Sequence, residues 1–243
     1  MNKEIDMLRC VITEYDMKEA GFSLIKEFSL LPNNVISTLS KLTKQERTIR
    51  IGKLMKSDQF NLSEELMESF IEARRLFFES NELESQDILS IKKDAIFVID
   101  KSCDYLDFGD NIHFVPKNKY SSFIKLDGIE LYYSAWKDTM DIKKTSNKDN
   151  PLFGHIKKIL KSNETVSKDN LFQLLQKFRS DYLNFRLETE CYRELNIENK
   201  FRINSDMVSN LVLTDRLDES LVDYINIEYN YIHIVIPLIS VLL

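Results

Sequence analysis

Two aspartates stand where a folded chain can aim a carboxylate into a cleft. Asp16 closes a β-rich run over 8–15 and precedes a helical stripe. Asp94 sits at the turn between the apolar runs 88–91 and 95–99, directly behind Lys92 and Lys93. Strand ends and hairpin turns expose a side chain while rigid backbone holds it. Two carboxylates brought together by adjacent strands can hold a pair of Mg²⁺ ions. Such a pair lowers the pKa of an attacking hydroxyl and stabilises a leaving pyrophosphate, the two-metal route to phosphoryl transfer. The same two residues also fit an ordinary helix N-cap and an ordinary turn former.

Cations recur between the two aspartates. Lys41, Lys44, Arg47, Arg50, Lys53 and Lys56 fall on every third position. A three-residue step turns a helix by about −60°, so any three consecutive members span about 120° and can meet a triphosphate or a nucleic-acid backbone. A solvated charged face is the other reading. Further lysines cluster at 117–125, 137–148 and 157–161, whereas 64–87 is acidic. Tyr120, Tyr132, Tyr133 and Trp136 lie near the middle lysines, as base-stacking platforms or as sheet-core aromatics. Asp100, Asp104, Asp107 and Asp110 lack the glycine and terminal glutamate of an EF-hand loop and read as a solvated loop.

The elements that must position these groups are those of a globular chain. The 243 residues are 43 % hydrophobic and 30 % charged, with a net charge of −6. Charge segregation makes a local field, so that sum leaves nucleic acid open as a partner. Five glycines and four prolines exclude a Gly-rich phosphate loop, a G-x-S-x-G elbow and a turn-dense β-sandwich. Cys10, Cys103 and Cys191 are scattered and suggest a reducing compartment. His113, His155 and His233 are equally dispersed, which argues against zinc. The start lacks an apolar signal segment. The apolar end, 231–243, is shorter than the roughly 20 residues of a membrane span and reads as a buried strand, with a partner-docking tail as the alternative. The expectation is a soluble, cytoplasmic protein with no membrane partner.

Helical stripes are predicted over 18–31 and 35–56, and from Asn61, capping-boxed with Glu64, to about Ser80. β-runs are predicted at 88–91, 95–99, 111–115, 120–125 and 129–134, a surface loop at 137–150, and a helix over 168–190. Residues 221–243 read as two β-rich runs split by Asn230, and His113 and His233 as hydrogen-bonded sheet residues.

The stretch Glu14-Tyr-Asp-Met-Lys-Glu-Ala-Gly-Phe-Ser-Leu-Ile-Lys-Glu-Phe-Ser29 resembles motif A of palm-domain polymerases, written Asp-(Tyr/Phe)-Ser-Gln-Ile-Glu-Leu-Arg in family A DNA polymerases. Asp16 matches the metal aspartate, Glu19 the polar Gln, and Ala20, Phe22, Leu24, Ile25 and Phe28 the apolar positions. Ile91-Lys-Lys-Asp-Ala-Ile-Phe-Val98 is similar to motif C, where a hairpin presents an aspartate; the family B form often continues Ser-Ile-Phe-Val. Lys117-Asn-Lys-Tyr120 resembles the Lys-x-Tyr element that follows the family B hairpin. The resemblance covers about residues 8–125. It implies Asp16 and Asp94 as catalytic and metal-holding residues with a two-Mg²⁺ site. It further implies Arg47, Arg50, Lys53, Lys117, Lys119 and Tyr120 as substrate-binding, with Arg50 or Lys53 meeting the triphosphate.

The expected fold is α+β: a palm-like antiparallel sheet with packed helices over 1–135, then a C-terminal helical and β-rich portion over 136–243. The expected function is metal-dependent nucleotidyl transfer on a nucleic-acid primer or template from nucleoside triphosphates. The enzyme would be reduced or split, phage-encoded, active in the host cytoplasm, with a second chain supplying fingers or thumb. The rival expectation is a non-catalytic structural or replisome-binding module, of viral origin, on a degenerate palm scaffold.

Overall fold

The computed structural model describes residues 5–57, 61–193, 195 and 226–243. Its class is α+β, as the sequence predicts. The strands are β1 (Met7–Met17), β2 (Ile88–Ile91), β3 (Ala95–Ile99), β4 (Asp107–Phe108), β5 (Ile112–Leu126), β6 (Ile129–Ser134) and β7 (Thr139–Lys143). They form a seven-stranded antiparallel sheet in the order β2-β3-β1-β5-β6-β7, with β4 paired to β5. The helices are α1 (Ala20–Glu27), α2 (Asn33–Ser40), α3 (Lys44–Met55), α4 (Leu62–Ser80), α5 (Pro151–Asn163), α6 (Lys168–Leu183) and α7 (Ile236–Leu242). The chain divides into two compact units, one of Cys10–Lys119 and one of Ile5–Arg9 with Tyr120–Leu243.

In the N-terminal unit, β1 runs into four helices before the chain returns as the β2–β3 hairpin. Alternation on β1 turns Tyr15 and Met17 into the core, because side chains two apart share a face. Phe77 of α4 is fully buried at the centre, with Tyr15, Phe108 and Phe114 ringed around it at centroid distances of 4.6–6.2 Å. The predicted helix over 35–56 is in fact two. Lys41–Thr43 break it, and Thr43 opens α3 with a capping box to Glu46. The box expected at Asn61 does not form: Asn61 has φ 45° and donates from its amide to Glu64 Oε2 at 2.9 Å, with no cap to the backbone. Gly109, at φ 65°, is required where it stands, since a Cβ there would lie 1.8 Å from Glu27 Oε1. That close approach lets the Glu27 carboxylate clasp the backbone N–H groups of Asp110 and Asn111 at 3.1 and 2.9 Å.

In the C-terminal unit, β5, β6 and β7 pair in sequence, and α5, α6 and the final helical stretch share a core with Ile124, Leu131 and Tyr133. Two expectations are corrected here, and one helix is added. The loop predicted over 137–150 contains β7, whose two-residue alternation of Met140 and Ile142 packs on the core. Helix α5 went unpredicted, although Asn150 caps it through Leu152 N–H and Pro151 occupies its first turn. The described end of the chain is helical and not β: a helical run over 226–230, a π-helical turn Tyr231–Val235, then α7. Its β-branched residues mislead by type, but Tyr231, Ile234, Val235 and Leu238 recur at helical spacing against the core. The π turn precedes Pro237, whose missing N–H would otherwise interrupt the ladder. Positions 221–225 of that expectation lie outside the described residues. Among the described residues, no helix is long and apolar enough to cross a membrane.

Candidate functional site

Strand pairing brings the two aspartates together. Asp16 stands opposite Ala95 in the β1–β3 ladder, and Met17 N–H donates to the Asp94 carbonyl at 2.9 Å. Asp94, in the turn just before β3, therefore lies beside Met17, one residue along from Asp16. Both line one cavity of about 810 Å³, well within the range that takes a nucleotide-sized ligand. Residues 18–23 at the start of α1, Lys26 in its last turn, one face of α3, Leu66 and Phe70 of α4, and the Asp110–Asn111 turn with His113 complete the wall. Both acids are thus in a common cleft, at the strand-to-helix junction and hairpin turn that the sequence predicts for them.

Lys117 of β5 reports on the same spot. Its Nζ lies 3.3 Å from Asp16 Oδ2. Burial works against its charge but is outweighed by Asp16, with Glu14 and Asp94 adding, so its pKa is raised. Glu14, two positions before Asp16 on β1, shares its face by alternation. It is buried, and its Oε2 accepts a hydrogen bond from Asn118 Nδ2 at 2.8 Å. Glu14 is a third carboxylate on the face of Asp16, marked in the sequence only by the two-residue alternation of β1.

The cations sort by helix geometry. Lys44, Arg47, Thr48, Ile51, Gly52 and Met55 of α3 face the cavity, a stripe at helical spacing. At about 100° per residue, Arg50 and Lys53 point roughly 130° and 170° away from the centre of that stripe. Both are exposed outside the cavity lining. Arg47 faces the cavity but is engaged: its guanidinium pairs with Glu19, donates to the carbonyls of Leu39 and Leu42 at 3.1 and 2.9 Å, and stacks on Phe22 at 4.2 Å. The remaining cavity cations are Lys18, Lys26, Lys44 and Lys93. Lys93 lies over the Phe70 ring at 5.6 Å. In the sequence Lys44 is one member of the three-residue run and Lys93 is marked only by its place before Asp94.

Lys119 is exposed on β5. Tyr120 belongs to the C-terminal unit, where it is buried, 5.2 Å from the Tyr132 ring, with its hydroxyl on Asp141. Tyr132 and Tyr133 are core as well, while Trp136 is exposed. His113 is a sheet residue bonded to Asp107 at 2.7 Å, as expected. His233 is not: it lies in the π turn, stacked on Tyr229 at 4.2 Å. The aspartates at 100 and 107 are occupied by Val11 N–H and His113.

One family model matches the chain over residues 1–243, that of the bacteriophage PBS1 gene 130 protein. The chain belongs to that family. Membership in the PBS1 gene 130 family agrees with the viral, phage-encoded part of the expectation. No curated protein matches the chain.

Proposed function

We propose that the N-terminal unit is a reduced palm that carries out metal-dependent nucleotidyl transfer on a nucleic-acid primer or template, with the host cytoplasm as its setting. The observation that carries this reading is the meeting of Asp16, near the end of β1, and Asp94, at the hairpin turn just before β3, in the lining of one cavity that also holds four lysines. The order strand, helices, hairpin agrees with the motif A and motif C resemblance.

The donor set suits Mg²⁺, a hard ion that takes one or two carboxylates and completes its shell with substrate phosphates and water. Asp16 and Asp94 would hold it, and when bound it supplies charge neutralisation for the attacking and leaving oxygens. Lys44 and Lys93 take the triphosphate's negative charge, and Lys26 stands at the same wall. Arg47 keeps the α2–α3 turn and Glu19 in position, so it acts on the pocket's shape. Lys117 neutralises Asp16 and would release its carboxylate to a bound metal. Residues for fingers or thumb would come from a second chain.

That Lys117–Asp16 pair also favours the second reading, a non-catalytic replisome module in which an internal cation satisfies the acid permanently. Thermal unfolding with Mg²⁺ or Mn²⁺, with and without a nucleoside triphosphate, separates the two. The wild type is expected to gain stability only with metal and nucleotide together, and Asp16→Asn and Asp94→Asn to lose that gain. Equal curves for all three proteins would sink the catalytic reading and leave the scaffold.

A further inference from the structure

In the C-terminal unit, three chemically different ligand groups converge at a place unrelated to the aspartate cavity. His155 Nε2 lies 2.7 Å from Glu188 Oε2, and Cys191 Sγ lies 3.6 Å from the same oxygen. All three ligand atoms fall within 4.8 Å of one another. We propose that His155, Glu188 and Cys191 form a three-ligand site for a borderline-soft divalent cation, Zn²⁺ by chemistry.

The dimensions fit. Metal–ligand lengths of about 2.0–2.3 Å at tetrahedral angles put ligand atoms about 3.4–3.6 Å apart. The sulfur–oxygen separation already has that value. The histidine–carboxylate separation must open by about 0.7 Å, a side-chain adjustment that exchanges one hydrogen bond for two coordinate bonds. Nitrogen, oxygen and sulfur donors together select Zn²⁺ over Mg²⁺ or Ca²⁺, which want oxygen alone.

The backbone holds the three in place. Glu188 precedes the 3₁₀ turn Thr189–Tyr192, and Cys191 N–H donates to the Glu188 carbonyl at 2.9 Å, which sets the two side chains one turn apart. His155 stands in α5, its ring 6.3 Å from that of Phe178 in a stacked arrangement. Asn150 ties the two segments: its Oδ1 accepts from Leu152 N–H at the start of α5, while its Nδ2 donates to the Glu190 carbonyl at 2.8 Å. The ion enters from the solvent side, where the Glu188 side chain is 58 % exposed, and meets the fully buried thiol on the inner side. As the metal–sulfur bond forms, the thiol proton leaves to solvent and the thiolate becomes the ligand. Three protein ligands leave a fourth position open.

The sequence conceals this site because Glu188 and Cys191 lie far from His155 along the chain and no C-x-x-C or H-x-x-x-H pattern marks it. Titration of the full chain with Zn²⁺, Co²⁺ and Mg²⁺ tests it. One equivalent of Zn²⁺ is expected to bind and raise the unfolding temperature. Co²⁺ should give a thiolate-to-metal charge-transfer band, and Mg²⁺ neither effect. Cys191→Ser should abolish the band. His155→Gln and the more exposed Glu188→Gln should each weaken Zn²⁺ by at least about tenfold, the loss typical of even an outer-shell partner. No band in the folded wild type, a band that survives in Cys191→Ser, or unchanged Zn²⁺ affinity in both other variants would overturn the proposal.

Discussion

At the scale of single residues, the cavity cations divide by what already occupies them. Arg47 is only 14 % exposed in its side chain and holds two carbonyls and a carboxylate in a fork that a point charge cannot reproduce. Arg47→Lys is therefore expected to destabilise the protein by about 1–3 kcal/mol, from carbonyls left unpaired, read as a lower urea midpoint. Lys44→Ala and Lys93→Ala should leave that midpoint in place. Each should weaken nucleotide binding in the presence of Mn²⁺ by about tenfold, the worth of one charge-assisted hydrogen bond, as measured by calorimetric titration. The chemistry-bearing aspartates are legible in the sequence because each sits at a change of period. The partition among Arg47, Arg50 and Lys53 is not, because a three-residue repeat winds around the helix and only tertiary packing chooses a face.

Among the elements, α3 and the β2–β3 hairpin set the cavity walls, and each has a local device that can be tested. Thr43 accepts from Glu46 N–H while Glu46 Oε2 accepts from Thr43 N–H at 2.9 Å. Loss of this box in Thr43→Ala should cost about 1 kcal/mol, seen as a shift in denaturation midpoint. The approach to β2 is closed by Asp87, whose carboxylate accepts from Glu84 N–H at 2.8 Å and from Lys101 at 2.9 Å. These bonds, the Glu84 one foremost, lower its pKa below the ordinary 3.8. A carboxyl depressed on folding stabilises the fold above its unfolded value and loses that contribution as pH falls through its folded value. The unfolding-temperature gap between wild type and Asp87→Asn should accordingly be level at neutral pH and close below about pH 4. The hairpin was readable from alternation and its turn. The α2–α3 break was not, since Lys41-Leu42-Thr43 contains neither glycine nor proline, and the C-terminal helix was hidden by residues that favour strands by type. Helix α5 carries its own signals in the sequence, an Asn-Pro start and a stripe at Leu152, Phe153, Ile156, Ile159 and Leu160.

Across the whole molecule, each unit has its own hydrophobic core, and the phosphoryl-transfer and Zn²⁺ proposals fall in different ones. Phe77, fully buried among aromatic rings, bears on the first. Phe77→Ala should cost about 3–5 kcal/mol by chemical denaturation and should abolish nucleotide-dependent stabilisation, while leaving Co²⁺ charge transfer through Cys191 intact if the second unit keeps its fold. The α+β class was legible from the switch in hydrophobic period near residue 88. Which unit contains Tyr120 was not, since β5 runs unbroken from Ile112 to Leu126 through the boundary. The alternation on β1 carries one more consequence. Tyr15 and Met17 turn to the core, Met17 also bordering the cavity, and Asp16 turns the other way, so the ladder reads like text with a frame of two. Inserting a single residue ahead of Asp16 would exchange inside for outside and lose fold and site at one stroke, whereas a two-residue insertion preserves the facing of each. Natural length variation in this strand should accordingly come in even steps.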